Sequence, residues 1–144
     1  MIPLRDSPQS RSFPLVTVGL IFANILIFLT VAQSPDANQL FAHFAFVPRR
    51  FFYWRGGALD WQRWQPLLSA MFLHANLLHL VSNMWFLWVF GDNVEDQLGH
   101  GRYFVFYLVC GVVSFIVQGL SAPTSAIPAV GASGAISGVL GRIC

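Results

Sequence analysis

Three long segments of this 144-residue sequence contain no Asp, Glu, Lys or Arg. They extend over residues 12–35, 64–91 and 103–141. Charged residues make up only 10% of the chain, whereas a soluble domain carries about a quarter. Because uncharged apolar runs of this length cross a bilayer as helices, the sequence predicts an all-α, polytopic transmembrane helix bundle.

The apolar runs divide into four predicted spans, which follow a polar tail over residues 1–12 and make residues 13–144 one membrane domain. The spans are expected over about 13–31, 76–90, 103–120 and 129–144. The first run carries no small-x-small cleavage site. We therefore expect a retained helix there, not a removed signal peptide.

The polar connections between the spans differ in composition. Residues 32–65 place aromatic rings beside four arginines, which is typical of the headgroup layer, so we expect this connection to lie at the membrane interface. Gly91-Asp92 is expected to end the second span, and residues 92–102 are expected to form a polar turn. Charge does not decide the orientation, because the tail and this turn hold three Arg and the long connection holds four.

Composition also limits the partners. A net charge of +2 is too small to indicate a nucleic-acid partner. Cys110 and Cys144 do not suggest a disulfide framework or a metal site, and we expect no cofactor. A haem or ion site using His74 and His79 is a further alternative, but their five-residue spacing places the rings on different faces of a helix, which suits joint ligation poorly.

Polar side chains at close spacing open the second predicted span. His79 and Asn83 are four residues apart and share one face of a helix. Asn76 is a favourable N-cap, so we expect the helix to start there. His74 then lies in the segment that leads into the helix.

Residues 131–141 combine an apolar composition with four glycines at intervals of three and four. On a helix, Gly134 and Gly138 form a small-xxx-small pair that lets another helix come close in lipid. Ser133 lies in the first turn, beside this glycine face. The segment alone is equally consistent with a packing ridge that carries an incidental serine.

The number of membrane crossings relates these two regions. Two crossings separate the second and fourth helices, so both begin on the same side, with Ser133, His79 and Asn83 at similar shallow depth. Free N–H groups at a helix N-terminus, with side-chain donors from His79 and Asn83, would make an oxyanion site for acyl transfer. The alternative is that the three side chains only bond one another across a helix contact.

These residues resemble the motifs of the rhomboid intramembrane serine proteases. The motifs occur in the family's order, over most of the chain and above all from Trp64 to Gly141. The family's Gly-x-Ser-Gly motif corresponds to Gly131-Ala132-Ser133-Gly134, with motif glycines Gly131 and Gly134. Its His-x4-His-x3-Asn motif corresponds to His74, His79 and Asn83. Its Glu-x-x-x-Gly motif corresponds to Glu95 and Gly99.

The resemblance implies an enzyme, a serine-type endopeptidase that cleaves transmembrane helices of membrane-protein substrates. It implies that Ser133 is the nucleophile and that His79, Asn83 and the Ser133 amide stabilise the oxyanion, with His74 supporting them. The turn containing Glu95 would brace the cytoplasmic end of helices two and three. A cytoplasmic N-terminus is implied as well, and we expect the plasma membrane of a bacterium.

The sequence departs from the family's pattern in three places. The family's general base is a histidine on its sixth core helix, and about four of six core helices are expected here. The fourth predicted span is also short for a hydrocarbon core of about 30 Å, so we expect a C-terminally truncated chain that is inactive alone. Gln65 follows Trp64, and Gln97 stands two residues after Glu95, where arginine is usual in both cases.

Two functions therefore remain open. The first is a rhomboid-type protease whose general base lies outside this sequence. The second is a non-catalytic, rhomboid-like pseudoprotease that binds transmembrane helices. Ser133, His79 and Asn83 favour the first, whereas the absent base favours the second. His43 and His100 lie in connecting segments, and we expect them to be ordinary surface residues.

Overall fold

The structure, a computed structural model, describes residues 12–143, so the predicted polar tail lies outside the described residues except for Ser12. In this part of the chain the backbone forms seven α-helices and one 3₁₀ turn, with no β-strand beyond an isolated bridge. These are α1 (Leu15–Gln33), α2 (Ala37–Phe44), α3 (Pro48–Phe52), α4 (Trp61–Ser69), the 3₁₀ turn (Ala70–Phe72), α5 (Leu77–Leu98), α6 (His100–Ser121) and α7 (Ser133–Ile143). The predicted all-α bundle is confirmed.

Two of the helices, α1 and α6, are long and apolar enough to cross a membrane. α5 meets the same criteria only together with α4 and its 3₁₀ turn, and the two parts of that pair are bent by 79°. The described residues therefore contain two candidate spans, or three if the bent pair is one span. The ends of α1 and α6 lie within about three residues of the first and third predicted spans.

The prediction that the second span ends at Gly91-Asp92, before a polar turn over residues 92–102, is wrong. α5 continues to Leu98, and Gly99, at a φ of 79°, is the one residue between α5 and α6. Gly91 is buried inside α5, where a Cβ atom would lie 2.8 Å from the Tyr103 hydroxyl and 2.9 Å from Thr17 Cγ2. Gly91 is therefore a packing residue, because its missing side chain lets α1 and α6 approach α5.

The polar end of α5 supplies the cap that α1 lacks. Pro14, which precedes α1, makes no side-chain capping bond. Instead, the buried carboxylate of Glu95 accepts hydrogen bonds from the backbone N–H groups of Val16 (2.7 Å) and Thr17 (2.8 Å) and from the Thr17 hydroxyl (2.7 Å). A carboxylate at a helix N-terminus satisfies free N–H groups and interacts favourably with the helix dipole. Glu95 thus lies inside α5, not in a turn, and holds the start of α1 against it.

The same carboxylate also joins α5 to α6. Nδ1 of His100, the first residue of α6, lies 2.5 Å from Glu95 Oε1. The hydroxyl of Thr17, whose proton is bonded to Glu95, accepts a hydrogen bond from the Tyr103 hydroxyl on α6 at 3.3 Å, so the three helices meet around one polar cluster. His100 is therefore not an ordinary surface residue, although its side chain is about half exposed.

Two arginines organise the connection between α1 and α5, which folds into α2, α3 and α4. Arg50 donates to the carbonyl groups of three residues at the C-terminal end of α2, namely Ala42 (2.8 Å), His43 (3.1 Å) and Ala45 (2.6 Å). These are carbonyls that the helix itself leaves without donors. Arg63 on α4 donates to the Phe51 carbonyl at 3.1 Å, and its guanidinium lies 5.0 Å from the centroid of the Phe51 ring.

Aromatic rings of this connection pack into the bundle at a glycine of α6. A Cβ atom at Gly119 would lie 2.8 Å from the ring of Phe52 and 3.1 Å from that of Phe46. Leu59 and Trp61, by contrast, are exposed. The connection is thus anchored on the bundle and also exposes apolar side chains, and its expected place at the membrane interface stays a prediction.

We expect Glu95→Ala to lower the free energy of unfolding by about 3 kcal/mol or more, because it leaves buried donors of α1 without an acceptor, each at a cost of about 1–3 kcal/mol. Denaturant unfolding of the purified protein in detergent measures this change. Gln97→Ala, at an exposed position of the same helix, is the control and should stay within about 0.5 kcal/mol of the parent protein. Equal losses in the two variants would contradict the assigned cap.

Gly91→Ala places a methyl group against Tyr103 and Thr17, and we expect it to lower the free energy of unfolding by about 1–3 kcal/mol. The matched control is Gly101→Ala on α6, where a Cβ atom meets nothing within 4 Å. There we expect a gain of up to about 1 kcal/mol from the better helix propensity of alanine. The same unfolding experiment compares the two variants. An increase in the free energy of unfolding for both would rule out close packing at Gly91.

Candidate functional site at the start of α5 and α7

The start of α5 positions the polar residues that the sequence singled out. Asn76 is the N-cap, and its side chain accepts a hydrogen bond from the His79 backbone N–H at 2.8 Å, which confirms the predicted helix start. Asn83 is buried one turn beyond His79, which is half-buried. His74 precedes the helix, and its ring meets that of His79 edge to face, with centroids 5.1 Å apart.

The segment before α7 is held in a non-helical conformation by two backbone contacts. Ala129 forms an isolated antiparallel bridge with Phe46, through bonds of 2.7 and 3.1 Å. Gly131 donates its N–H to the Ala70 carbonyl at 2.8 Å and has a φ of 113°, a value that favours glycine. α7, the fourth predicted span, begins at Ser133, so Ser133 lies in its first turn as predicted. Residues 129–132, which the predicted span included, are not helical, because these contacts hold their backbone away from helical geometry.

Gly131 brings this segment against the polar face of α5. A Cβ atom at Gly131 would lie 2.6 Å from His79 Cε1, 2.8 Å from His79 Nε2 and 3.6 Å from Asn83 Nδ2. The backbone therefore packs directly on the two side chains that the sequence placed on one helix face. Ser133 follows two residues later as the first residue of α7.

The glycines of α7 bring that helix equally close to α6. A Cβ atom at Gly134 would overlap the side chain of Ser114, and one at Gly138 would lie 2.5 Å from Cys110 Sγ. The predicted small-xxx-small contact is confirmed. Gly141 takes no part in it, because a Cβ atom there meets nothing within 4 Å.

Several hydrogen-bond donors at this site are left without acceptors. Asn83 is 7% exposed, and within the described residues its Nδ2 has no hydrogen-bond partner. The first backbone N–H groups of α7, including that of Ser133, have no acceptor inside their own helix. In the alternative interpretation, Asn83 only forms hydrogen bonds to other side chains across a helix contact. Its Nδ2 makes no such bond within the described residues.

Ser133 itself is exposed and lines a cavity of about 240 Å³ between α6 and α7. Gly131 and Gly134 form one wall, and Ser114 and Gln118 contribute polar groups from the other. Neither His79 nor Asn83 lines this cavity, because both lie on the other side of Gly131. The site thus places an exposed hydroxyl at the start of α7 and an unpartnered amide of α5 on either side of one glycine.

Sequence reasoning missed the partners that shape this region. The carbonyl of Ala70 accepts a hydrogen bond from the Gly131 N–H, and the side chain of Ser114 packs against Gly134. Small and polar residues at Gly111, Ser114 and Gln118 recur at intervals of three and four along an apolar helix, and this pattern could have identified the face of α6 that meets α7. The Ala70 carbonyl leaves no such trace, because any residue offers the same group.

The remaining predicted residues lie elsewhere. Glu95 and Gly99 belong to the opposite end of α5, where Glu95 caps α1. His100 bonds to Glu95 there, and His43 is exposed on α2. Within the described residues no group of three or more His, Cys, Asp or Glu side chains is arranged to hold a metal ion.

Comparisons with known proteins agree with these motifs. A model of the Rhomboid domain matches residues 60–144. RHOMBOID-like protein 6, mitochondrial, of Arabidopsis thaliana is 34% identical over 156 residues, which cover 89% of this chain and 50% of that protein. The human Presenilin-associated rhomboid-like protein, mitochondrial, is 30% identical over 128 residues, which cover 88% of this chain and 31% of that protein.

A bacterial relative is named as an enzyme. Rhomboid protease GluP of Bacillus subtilis (strain 168) is 39% identical over 80 residues, which cover 56% of this chain and 15% of that protein. The chain thus spans half or less of the length of these relatives.

The relatives and the apolar helices together identify a membrane protein. Two of the three names carry the word mitochondrial, so they do not support the predicted plasma membrane of a bacterium. The Rhomboid domain covers more than half of the sequence, including the polar start of α5 and the glycine-rich start of α7. The chain belongs to the rhomboid family.

Proposed function

We propose that this protein is an intramembrane serine endopeptidase of the rhomboid type that cleaves transmembrane helices of membrane-protein substrates. Ser133 is the nucleophile, and His79, Asn83 and the Ser133 backbone N–H stabilise the oxyanion. His74 supports this set through its contact with the ring of His79. The observation that carries the proposal is the packing of Gly131 against His79 and against the unpartnered Nδ2 of Asn83.

The chemistry follows from the placement of these groups. When the Ser133 hydroxyl attacks a peptide carbonyl, the carbonyl oxygen becomes negative, and it needs donors that are already in place. An unpartnered amide in a buried site meets that need without reorganisation, and one such donor contributes roughly 100- to 1,000-fold in rate. The N-terminal end of α7 adds a favourable dipole.

The proton of Ser133 also needs an acceptor. In this proposal His74 and His79 belong to the oxyanion site, His43 is exposed on α2, and His100 bonds to Glu95. None of the four histidines of the sequence is therefore assigned as the general base. We expect residues 1–144 alone to react slowly, at a rate set by bases in solution.

The position of Ser133 indicates where a substrate would be cut. Ser133 lies in the first turn of α7, at the same end as the start of α5, so the reacting bond lies near one membrane surface. We therefore propose cleavage near the end of a substrate helix. The family resemblance alone suggests a cytoplasmic N-terminus, with the site opening to the other side.

A second candidate function is binding of transmembrane helices without cleavage. Exposed apolar residues on α5, such as Leu77, Leu78 and Val81, favour it, because they would suit an apolar partner. The two candidates differ in whether Ser133 reacts at all.

A fluorophosphonate probe separates the two functions. Attack by the Ser133 hydroxyl forms an O–P bond and expels fluoride, while the proton passes to a base. Because no histidine of this sequence is assigned as the base, we expect slow labelling that imidazole in the buffer accelerates in proportion to its concentration. Gel fluorescence and peptide mass spectrometry measure the rate and the modified residue.

The controls for this experiment follow from the assigned roles. Ser133→Ala should remove the label, and Asn83→Ala should lower the imidazole-dependent rate by roughly 100-fold. Thr30→Ala, which removes an exposed hydroxyl on α1, should leave the rate unchanged. Absence of labelling at high imidazole would favour the binding function, and equal labelling of Ser133→Ala would refute the assigned nucleophile.

Gly131→Ala tests the contact that brings the two helices together. Alanine is strained by about 1–2 kcal/mol at a positive φ, and its Cβ would overlap the ring of His79. We expect the segment before α7 to move away from α5 and the labelling rate of Ser133 to fall by about 100-fold. Gly141→Ala, where a Cβ atom meets no neighbour, is the matched control, and similar rates in the two variants would contradict the proposed contact.

A further inference from the structure

A second cavity lies between α1, α2 and the residues that lead into α5. Its volume is about 400 Å³, within the range of small-molecule sites in proteins. Phe28 and Val31 of α1, Phe41 of α2, and Leu73 provide apolar walls. It shares no lining residue with the cavity at Ser133.

His74 lines this cavity and is the feature that indicates an occupant. The residue is only 5% exposed, and within the described residues neither of its ring nitrogens makes a hydrogen bond of good geometry, although the Phe72 backbone carbonyl lies near one of them. A neutral imidazole carries one donor and one acceptor. Leaving such groups buried and unpaired costs about 1–3 kcal/mol each, so a molecule that bonds His74 would be stabilised in the cavity.

Water alone fits this cavity poorly. Ala32, Asn38 and Ala75 are exposed at its mouth, so the cavity is partly open. Among the lining side chains only His74 and Asn38 are polar, so water along the remaining walls would face apolar surface. An occupant with one polar head and an apolar body would satisfy His74 and also cover the apolar walls.

The lining also indicates the charge of that head. No Asp, Glu, Lys or Arg lines the cavity, so a charged head would be buried without a counter-ion, at high cost. A hydroxyl both donates and accepts, and therefore bonds a ring nitrogen of His74 in either tautomer. The apolar walls suit an alkyl chain of the kind that the surrounding bilayer contains.

We propose that this cavity binds a neutral long-chain alcohol, with the hydroxyl on His74 and the alkyl chain between α1 and α2. The ring of His79 lies edge to face against that of His74. We therefore expect an occupant bound to His74 to change the surroundings of the His79 ring as well. The site does not depend on any reaction at Ser133.

The test is a titration of the ¹⁵N-histidine-labelled chain with n-decanol in phosphatidylcholine nanodiscs. NMR of the ring nitrogens follows each histidine separately. We expect a saturable shift at His74, a smaller one at His79 and none at His43 or His100. We expect no shift of the His74 ring-nitrogen signals with n-decane, which lacks the hydroxyl, or with decanoate, which is charged.

A cavity-filling substitution supplies the matched comparison. Ala37→Phe places a ring in the cavity and should abolish the decanol shift at His74, whereas Ala42→Phe, at an exposed position of the same helix, should preserve it. Unchanged signals of His43 and His100 show that a variant is folded. The proposal is overturned if decanol gives no saturable shift at His74, if decane or decanoate gives an equal one, or if the shift persists in a folded Ala37→Phe variant.

Discussion

The backbone of Gly131 approaches the ring of His79 more closely than any residue with a side chain could. Two further contacts fix this approach, namely the bond from Gly131 to the Ala70 carbonyl and the bridge between Ala129 and Phe46. Together they set where α7 begins, and therefore where the hydroxyl of Ser133 lies relative to α5. Without this contact the polar groups of α5 and the start of α7 would be two unrelated features of a lipid-embedded bundle.

The opposite end of α5 shows how polar groups are accommodated in this fold when they are fully paired. Glu95 receives three hydrogen bonds from α1 and lies beside His100 of α6, so a buried carboxylate links three helices. At the start of the same helix, Asn83 and His74 keep donors and acceptors free. Unpaired polar groups are costly in an apolar surrounding. Buried groups without a partner also occur at Asn24, Trp54 and Tyr107, so the functional role proposed for Asn83 rests on its place beside Gly131.

The sequence predicted those features that depend on local chemistry. The apolar runs identified α1 and α6, Asn76 marked the start of α5, and the spacing of Gly134 and Gly138 indicated a close helix contact. Each of these signals is carried by the residues of one segment.

The features that the sequence did not predict depend on contacts between distant segments. Gly91 resembles a helix end, yet it lies inside α5 because α1 and α6 pack against it. Glu95 resembles part of a polar turn, yet it caps a helix about eighty residues earlier in the chain. The start of α7 is delayed to Ser133 by backbone bonds to Phe46 and Ala70, which local propensity does not encode.

The most direct test of the site is an experimental structure of the protein after Ser133 has reacted with a fluorophosphonate. We expect the phosphonyl oxygen to lie within about 3 Å of Asn83 Nδ2 and of the Ser133 backbone nitrogen. An adduct that points into lipid, or a phosphonyl oxygen more than about 10 Å from Asn83, which is the diameter of a helix, would contradict it.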